Sequence, residues 1–319
     1  MTNMAPRLVI SADGPEAFAG WRDSFAAHAP DIEILSWFDP DTAHEQADYA
    51  LVWEADDEDL RRMGHLRGIL CTGAGVNHLV KSPDFPRQVK LVRMGGGDTA
   101  ALMTDYVLWA CIALLRDART WALQQAGHIW ARNLVSRTSA ETGVIVLGYG
   151  QIGAVVAQKL AQAGFSVSAW RRSAGATSDG AVTLHHGEEG LHDALGTADL
   201  LVNLLPSTPQ TRHILDRTTL SQLRRGAGLI NVGRGDHLVE ADLLALLENG
   251  HLCGAVLDVV SQEPLSADSP LWDHPAITLT PHIASEASRE AQVRYIAETI
   301  RQMERGETPA LLFDHTRGY

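Results

Sequence analysis

The stretch Val144-Ile145-Val146-Leu147-Gly148-Tyr149-Gly150-Gln151-Ile152-Gly153 decides the fold of this chain. Its four apolar residues, mostly β-branched, predict a buried strand, and the three glycines that follow have the spacing of a dinucleotide-binding turn. Gly148 allows the tight turn out of the strand, and Gly150 lets a pyrophosphate approach the backbone. Gly153 lets the next helix pack closely on the sheet, with its first amides facing the anion.

The residues after this stretch complete a strand-turn-helix-strand unit. Gln151 to Ala163 predicts a helix, Gly164 stands where a terminating glycine belongs, and Ser166 to Trp170 predicts a second strand. A glycine-rich turn that binds no ligand is the alternative. Because the unit is complete, we favour a Rossmann-type dinucleotide site.

The composition is that of an ordinary globular protein with two domains. The chain has 319 residues, of which 45% are hydrophobic and 20% charged, and it is too long for one small core. Lys and Arg number 26 against 39 Asp and Glu, a net charge of -13, which argues against a nucleic-acid partner or a polybasic membrane surface. Any bound anion must therefore be held by local arginines or main-chain amides.

Cysteine usage and hydropathy indicate a cytoplasmic protein. Cys71, Cys111 and Cys253 lie far apart beside apolar residues and form no CxxC pair, so we interpret them as reduced core residues rather than catalytic thiols. We find no apolar run long enough to span a bilayer, and the N-terminus lacks the order of a signal peptide.

Apolar strands alternate with helical stretches on both sides of a glycine-rich segment, Met94 to Asp98. This alternation predicts parallel sheets, and we place a domain boundary at the segment. Residues 98–286 are predicted to form a doubly wound NAD(P)-binding domain, and residues 1–97 and 287–319 a second α/β domain that binds substrate. Thr99 to Arg119 predicts a long helix. Thr120 to Thr142 is either an arm used in dimer formation or a helix packed on its own domain.

Three polar residues follow strands of the predicted NAD(P)-binding domain: Arg234, Glu263 and His282. Strand ends on one edge of a parallel sheet converge, so we expect these side chains to meet. An arginine binds a carboxylate bidentately, and a histidine moves protons near neutral pH when a carboxylate orients its ring. Taken singly, each has an ordinary alternative: a surface ion pair, a solvated loop charge or an inert histidine.

Two strand ends of the predicted substrate-binding domain are candidates for substrate binding. One carries Trp53, and the other is a loop in which Gly73 and Gly75 present bare amides that can receive a carboxylate. A flexible turn between strand and helix is the alternative for the loop. The predicted substrate-binding residues are Trp53, Gly73, Ala74, Gly75, Val76 and Arg234.

The residues after the second strand of the dinucleotide unit indicate which cofactor binds. An NAD-binding unit usually places Asp or Glu about 20 residues beyond the glycine turn, whereas this chain has Trp170-Arg171-Arg172-Ser173. Guanidinium and hydroxyl groups pair with a 2′-phosphate, so we predict NADPH in preference to NADH; a solvated arginine pair is the alternative. We predict no metal, and cofactor contacts from Gly148, Gly150, Gln151, Ile152, Gly153, Trp170, Arg171, Arg172, Ser173, Leu205, Pro206, Val232, Gly233, Arg234, Asp258 and His282.

Four motifs occur in the order found in the D-isomer-specific 2-hydroxyacid dehydrogenases. They are Gly148-Tyr149-Gly150-Gln151-Ile152-Gly153, Asn231-Val232-Gly233-Arg234-Gly235, Leu257-Asp258-Val259 with Glu263-Pro264-Leu265, and Pro281-His282-Ile283-Ala284. The resemblance runs from about residue 51 to 319 and is strongest to the glyoxylate/hydroxypyruvate reductase A branch. The branch features are Leu51-Val52-Trp53, Gly73-Ala74-Gly75-Val76, Asn203-Leu204-Leu205-Pro206, Ser269-Pro270-Leu271-Trp272 and Arg317-Gly318-Tyr319.

This resemblance implies roles for the candidate residues. The arginine matching Arg234 binds the carboxylate and carbonyl of the substrate, the histidine matching His282 donates the proton in reduction, and the glutamate matching Glu263 orients that histidine. The resemblance also implies a flavodoxin-like substrate domain, a Rossmann-type cofactor domain, closure that excludes water from hydride transfer, and a homodimer.

We therefore expect NADPH-dependent reduction of small 2-oxo acids, such as glyoxylate or hydroxypyruvate, to D-2-hydroxy acids. The alternatives are a nucleotide-sensing protein of the corepressor type, which the intact catalytic residues disfavour, and a dehydrogenase of this family with a different substrate. Formate dehydrogenase fits poorly, because it tends to carry glutamine at the position of Glu263. The chain has Glu54-Ala55-Asp56 where the branch tends to have prolines, and Met94 to Asp98 is unusually glycine-rich, so these segments are expected to influence which 2-oxo acid is preferred.

Overall fold

The computed structural model describes residues 5–42, 44–132, 137–316 and 318, which form two compact units. Unit 1 comprises Met1–Asp98 and Ala287–Tyr319, and unit 2 comprises Thr99–Glu286. Arg317 and Tyr319, which contribute to the family resemblance, lie outside the described residues, as do residues 133–136 of the possible dimer arm.

Unit 1 contains, among its described residues, a parallel sheet of five strands in the order β2-β1-β3-β4-β5. This order is that of flavodoxin-like sheets, which agrees with the prediction. Strands β3 and β4 are buried along their whole length, because parallel strands have both faces covered. The elements are β1 (Arg7–Ile10), α1 (Phe18–His28), β2 (Glu33–Ser36), β3 (Tyr49–Val52), α2 (Asp57–Arg62), β4 (Gly68–Cys71), α3 (Asn77–Val80) and β5 (Lys90–Val92).

Unit 2 is built on a larger sheet, with eight strands in the part of the chain described, ordered β13-β12-β11-β10-β6-β7-β9-β8. All neighbours pair in parallel except β8 and β9. The elements are α4 (Gly97–Arg116), α5 (Ala118–Ala126), β6 (Gly143–Leu147), α6 (Gln151–Gln162), β7 (Ser166–Arg171), β8 (Ser178–Asp179), β9 (Val182–His186), α7 (Gly187–Leu195), β10 (Leu200–Asn203), α8 (Arg217–Leu220), β11 (Ala227–Asn231), α9 (Glu240–Glu248), β12 (Leu252–Leu257) and β13 (Ile277–Leu279).

The last helix, α10 (Arg289–Glu304), returns the chain to unit 1. It lies against α1, and apolar side chains of the two helices share one core with β1 and β3. The contributing residues are Trp21 and Phe25 of α1 and Val293, Ile296 and Ile300 of α10. A helix separated from the rest of its unit by unit 2 is therefore needed to complete the core of unit 1.

The strand order of unit 2 determines where a ligand can bind. From β6 the chain moves outward through β7 and β9, and it then returns to add β10 on the other side of β6. The crevice beyond the carboxyl ends of β6 and β10 is therefore the topological switch point, where doubly wound sheets bind their ligands. Register places Leu147, Asn203, Asn231, Leu257 and Leu279 side by side at this edge.

Two sequence-based boundaries and one strand differ from the structure. The strand expected over residues 200–205 ends at Asn203, because the Leu205 N–H turns back to donate to Asn203 Oδ1 at 3.3 Å. The long helix expected to reach Arg119 breaks at Asp117, whose φ of 56° lies in the left-handed region, and α5 starts after it. Strand β8 was not anticipated, since two polar residues carry no strand pattern.

Helix α4 has the length and composition of a membrane span, with a mean hydropathy of 1.4, which differs from the sequence-based expectation. One face of this helix, however, packs into the core of unit 2 through Met103, Val107, Ala110 and Cys111. Helix α4 therefore contributes one face to the core of unit 2. Cys71 and Cys111 are buried as predicted, whereas Cys253, the second residue of β12, is exposed.

Candidate active site

The glycine turn after β6 has the geometry of an anion cradle. Gly148 adopts a φ of +104°, which strongly favours glycine, and its N–H donates to Trp170 O at 2.9 Å. A Cβ at Gly153 would lie 1.8 Å from Gly148 O, so only glycine lets α6 start this close to the turn. A Cβ at Gly150 would meet nothing within 4 Å, and no described side chain caps α6. Helix α6 therefore starts at a glycine turn without a described side-chain cap, an arrangement suited to a pyrophosphate.

The predicted 2′-phosphate residues lie at the end of β7. Trp170 is buried and its indole N–H donates to Gly187 O at 2.8 Å, so the ring belongs to the core and only its backbone faces the edge. The half-buried Arg171 guanidinium lies over Gly175 and donates to Ala176 O at 3.4 Å. Arg172 and Ser173 are exposed. Arg171 is the last residue of β7, and Arg172 and Ser173 directly follow it, so the predicted residues lie at the carboxyl end of this strand.

A buried polar network links the ends of β10 and β11. The fully buried amide of Asn203 donates to Asn231 Oδ1 at 2.9 Å, and its Nδ2 lies 2.8 Å from His237 Nδ1. His237 Nδ1 must accept in this contact, because an amide nitrogen only donates. Burial lowers the pKa of His237 to about 4, although Asp236 opposes the shift. Sequence reasoning missed this histidine, which is neutral and structural.

This network supports the main chain of Arg234. Asn231 Nδ2 donates to Arg234 O at 3.2 Å, and the Gly233 N–H donates to Asn231 Oδ1 at 3.3 Å. The Arg234 side chain is half-buried and donates from Nη1 to Gly233 O at 2.6 Å. A Cβ at Gly233 would lie 2.8 Å from Asn203 Nδ2, so the network also requires glycine there. Leu205, Val232 and Gly233, predicted as cofactor contacts, are buried just beyond the ends of β10 and β11.

His282 and Glu263, predicted to meet, form a hydrogen-bonded pair. His282 Nδ1 lies 2.7 Å from Glu263 Oε2, and the Val260 N–H donates to Glu263 Oε1 at 3.1 Å. Burial acts to raise the pKa of Glu263, but the hydrogen bonds from His282 and Val260 outweigh it and lower the pKa, so this carboxylate is ionised near neutral pH. An ionised acceptor at Nδ1 orients the ring and leaves Nε2 for proton transfer.

Asp258, predicted as a cofactor contact, holds the turn that carries His282. Its Oδ1 accepts the Thr280 hydroxyl at 2.6 Å and the Ile283 N–H at 2.9 Å, while Oδ2 accepts the Ala284 N–H at 3.0 Å. The carboxylate is almost fully buried. A carboxylate offers about four lone-pair directions, so this one retains capacity for one further donor, such as a carboxamide.

Tyr106 of α4 completes this arrangement, and sequence reasoning did not identify it. Its hydroxyl lies 2.5 Å from Thr280 Oγ1. Since the Thr280 proton is donated to Asp258, Tyr106 is the donor in this contact. Burial, with a smaller contribution from Asp258, raises the pKa of Tyr106 to about 12, so the hydroxyl keeps its proton. Thr280 directly follows β13 at the shared sheet edge, so its place in the site could have been inferred from the sequence. Tyr106 lies inside a helix, and no sequence pattern points to it.

In unit 1, the predicted substrate loop is ordered by Trp53. A Cβ at Gly73 would lie 2.3 Å from the indole ring, and the ring centroid lies 4.2 Å from that of His78. His78 Nε2 contacts Trp53 O at 2.6 Å, and the Met94 N–H donates to Gly73 O at 3.0 Å. Val76 is buried directly before α3. Trp53 and Gly73 therefore pack against each other and Val76 is buried, while Ala74 and Gly75 between them are partly exposed.

Comparison with known proteins agrees with this geometry. The NAD-binding domain of the D-isomer specific 2-hydroxyacid dehydrogenases matches residues 108–284. The glyoxylate/hydroxypyruvate reductase A of Photorhabdus laumondii is 37% identical over 306 residues, covering 94% of this chain and 96% of its own. That of Yersinia enterocolitica is 37% identical over 304 residues, with coverage of 94% and 96%.

Two solved structures extend the comparison to cofactor-bound proteins. A D-isomer specific 2-hydroxyacid dehydrogenase from Xanthobacter autotrophicus Py2, in complex with NADPH and MES, has 34% identity, a TM-score of 0.91 and coverage of 99% of this chain and 100% of its own. An NADPH-dependent glyoxylate/hydroxypyruvate reductase from Sinorhizobium meliloti, in complex with NADP and sulfate, has 32% identity, a TM-score of 0.87 and coverage of 98% and 100%. With the glycine turn, the strand-end residues and near full-length similarity in agreement, the chain is an enzyme that belongs to the D-isomer-specific 2-hydroxyacid dehydrogenase family, in its glyoxylate/hydroxypyruvate reductase A branch.

Proposed function

We propose that this enzyme reduces small 2-oxo acids, such as glyoxylate or hydroxypyruvate, to D-2-hydroxy acids with NADPH. The observation that carries the proposal is the hydrogen-bonded Glu263–His282 pair. Both residues come after strands that end at the same sheet edge as the strands before Arg234 and before the glycine turn. A proton donor, a carboxylate-binding cation and a dinucleotide cradle are what reduction of a 2-oxo acid requires from a protein.

Each proposed catalytic residue has one task. NADPH supplies the hydride when bound, and His282 supplies the proton to the substrate oxygen from Nε2, because Nδ1 is held by Glu263. Arg234 binds the substrate carboxylate through the planar fork of its guanidinium. Asn231 positions the main chain of Arg234. Asp258 holds the His282 turn and accepts one more hydrogen bond from the cofactor.

The proposed preference for NADPH rests on the corner after β7. Arg171, Arg172 and Ser173 place cationic and hydroxyl groups there, whereas NAD-binding units place a carboxylate. The solved relatives described above were crystallised with NADPH or NADP. Gly148 to Gly153 cradle the pyrophosphate, and Leu205, Pro206, Val232 and Gly233 contact the cofactor mainly through backbone.

For unit 1, we propose that Trp53 and the amides of Gly73 to Val76 bind the substrate. Both Trp53 and Glu54 are exposed, and the acidic Glu54 would favour substrates with a polar C3 substituent over larger anionic ones. Hydroxypyruvate has such a substituent and glyoxylate does not. Replacing Glu54 with glutamine is expected to change the ratio of kcat/KM between these two substrates.

We also propose a homodimer in the cytoplasm. The outer face of α4 and the segment that follows expose large apolar side chains: Leu102, Trp109, Ile112, Trp121, Leu123, Ile129 and Trp130. Trp130 is 100% exposed, and a second copy of this surface would cover it. Light scattering on the wild type and on Trp109→Ser with Trp130→Ser is expected to give a dimer and a monomer. A wild-type monomer would contradict the dimer.

The experiment that tests the function follows cofactor absorbance with a panel of 2-oxo acids, each with NADPH and with NADH. We expect turnover of glyoxylate or hydroxypyruvate with NADPH, and loss of turnover in His282→Ala. A protein that binds NADPH but turns over none of the acids would favour a nucleotide-sensing role instead.

A further inference from the structure

The loop that carries the predicted 2′-phosphate residues is tied to the glycine turn at both of its ends. This loop, here called the β7–β8 loop, comprises residues 172–177. At its start, Trp170 O accepts the Gly148 N–H at 2.9 Å. At its end, the Tyr149 hydroxyl donates to Asp179 Oδ2 at 2.7 Å. Two adjacent residues of the turn therefore define where the loop lies.

Helix α6 supports the second tie. Gln158 Nε2 donates to Asp179 O at 2.7 Å and to the Tyr149 hydroxyl at 3.4 Å. Gly180, with a φ of +57°, turns the chain from β8 into β9 beside this glutamine. Asp179 is thus fixed through its backbone by α6 and through its carboxylate by Tyr149.

Asp179 is a carboxylate two residues beyond the β7–β8 loop, and the sequence-based prediction of the cofactor did not include it. Burial and then the hydrogen bond to Asp179 raise the pKa of Tyr149, while the charge of Arg171 opposes the shift. The Tyr149 hydroxyl therefore keeps its proton and donates it to Asp179. An unrestrained carboxylate at this corner would repel a 2′-phosphate and would favour a ribose 2′-hydroxyl.

We propose that the Tyr149–Asp179 hydrogen bond is a specificity device, which holds the β7–β8 loop in position for a 2′-phosphate and turns the Asp179 carboxylate away from it. Tyr149 is then a positioning residue that acts through Asp179. The inference rests on the proposed preference for NADPH and explains how an acidic residue is tolerated at this corner.

Binding of two small probes to the full chain tests the proposal without turnover. Adenosine 2′,5′-bisphosphate and adenosine 5′-monophosphate differ only in the 2′-phosphate, and calorimetry gives their affinities. In Tyr149→Phe we expect the bisphosphate to bind about fivefold more weakly, the equivalent of about 1 kcal/mol for one hydrogen bond, and the monophosphate to change less than twofold. In Asp179→Asn, which keeps the acceptor and removes the charge, the bisphosphate is expected to bind at least as tightly as in the wild type.

Hydrogen exchange of the ligand-free protein provides a second measurement. Amides of residues 172–177 are expected to exchange faster in Tyr149→Phe than in the wild type. Tyr49→Phe is the matched control, because its hydroxyl also donates to a carboxylate, that of Glu304, but lies in unit 1. This control is expected to leave the exchange of residues 172–177 unchanged.

The outcomes separate this inference from the proposed function. A wild type that binds both probes equally would overturn the NADPH preference and the specificity device with it. A wild type that prefers the bisphosphate, with a Tyr149→Phe variant that keeps the same preference and the same exchange, would overturn the device alone. Equal weakening of both probes in that variant would show general support of the turn and would also overturn it.

Discussion

The main-chain N–H of His282 donates to the carbonyl oxygen of Asp258 at 2.9 Å. His282 has a φ of +57°, a left-handed conformation that costs roughly 1–2 kcal/mol outside glycine. The Asp258 carboxylate offsets this cost, because it accepts the next two amides of the turn, those of Ile283 and Ala284. The strained turn is therefore held by one buried residue, which positions the imidazole next to Glu263.

Loss of the Thr280 hydroxyl is expected to loosen this turn. Thr280→Val is nearly isosteric but removes the bonds to Asp258 and Tyr106, so we expect kcat to fall about tenfold and stability to fall by about 1–3 kcal/mol. Steady-state kinetics and thermal unfolding measure the two effects. Thr280→Ser keeps the hydroxyl and serves as the control; a valine variant with wild-type kcat would remove Thr280 from the positioning of His282.

Removal of the proton donor is expected to slow the chemical step. His282→Ala should reduce kcat by about 10²–10⁴-fold, the usual contribution of a positioned acid, with little change in cofactor affinity. Glu263→Gln keeps an acceptor for His282 Nδ1 but loses the charge, so a smaller reduction is expected. Full activity of the alanine variant would assign proton donation to another group.

Arg234→Lys keeps the charge but loses the planar fork. We expect KM for the 2-oxo acid to rise and kcat to fall, because the substrate binds more weakly and is less well oriented for hydride attack. Cofactor binding, measured by fluorescence in the absence of substrate, is the control. If both kinetic constants keep their wild-type values, another residue must bind the carboxylate.

The two arginines after β7 are expected to determine cofactor preference. Replacing Arg171 and Arg172 with alanine should cost a few kcal/mol for NADPH, by analogy with about 1.5–3 kcal/mol for each charged hydrogen bond, and should leave NADH nearly unaffected. The measurement is the ratio of kcat/KM for the two cofactors in the wild type and the double variant. A ratio that does not depend on either arginine would exclude the phosphate contact.

His237 is expected to make the enzyme less stable in acid. Its pKa of about 4 in the folded protein lies below the ordinary value of 6.5, so the unfolded chain binds a proton that the folded chain does not. The lowered pKa therefore costs no stability above pH 6.5. Between pH 6.5 and pH 4 the free energy of unfolding falls by about 1.4 kcal/mol for each pH unit of acidification. His237→Gln keeps an acceptor for Asn203 and removes the titration, so its unfolding midpoint should depend less on pH; equal slopes would contradict the assignment.

Local chemistry explains why much of the fold and the site was predictable. Gly148 needs a positive φ and Gly153 lets α6 start close to the turn. Both requirements involve residues near in sequence, so the glycine spacing together with the flanking strand and helix identifies the turn. Buried parallel strands appear as apolar runs, and the residues after them must share one sheet edge. Glu263 and His282 could therefore be expected to meet before any coordinates were known.

The remaining features depend on which distant segments the fold brings together. Tyr106 and Thr280 are 174 residues apart in sequence, and Tyr149 and Asp179 are 30 apart, yet each pair shares a hydrogen bond. Neither pairing follows from a period or a motif, because it is set by the packing of a helix or a hairpin against the sheet. The sequence by itself determined the alternation of strands and helices, the glycine turn and the chemical groups that follow the strands. Only the tertiary structure decided which buried partners hold those groups, since a hydrogen bond within about 3 Å requires a position that strand order and helix packing alone provide.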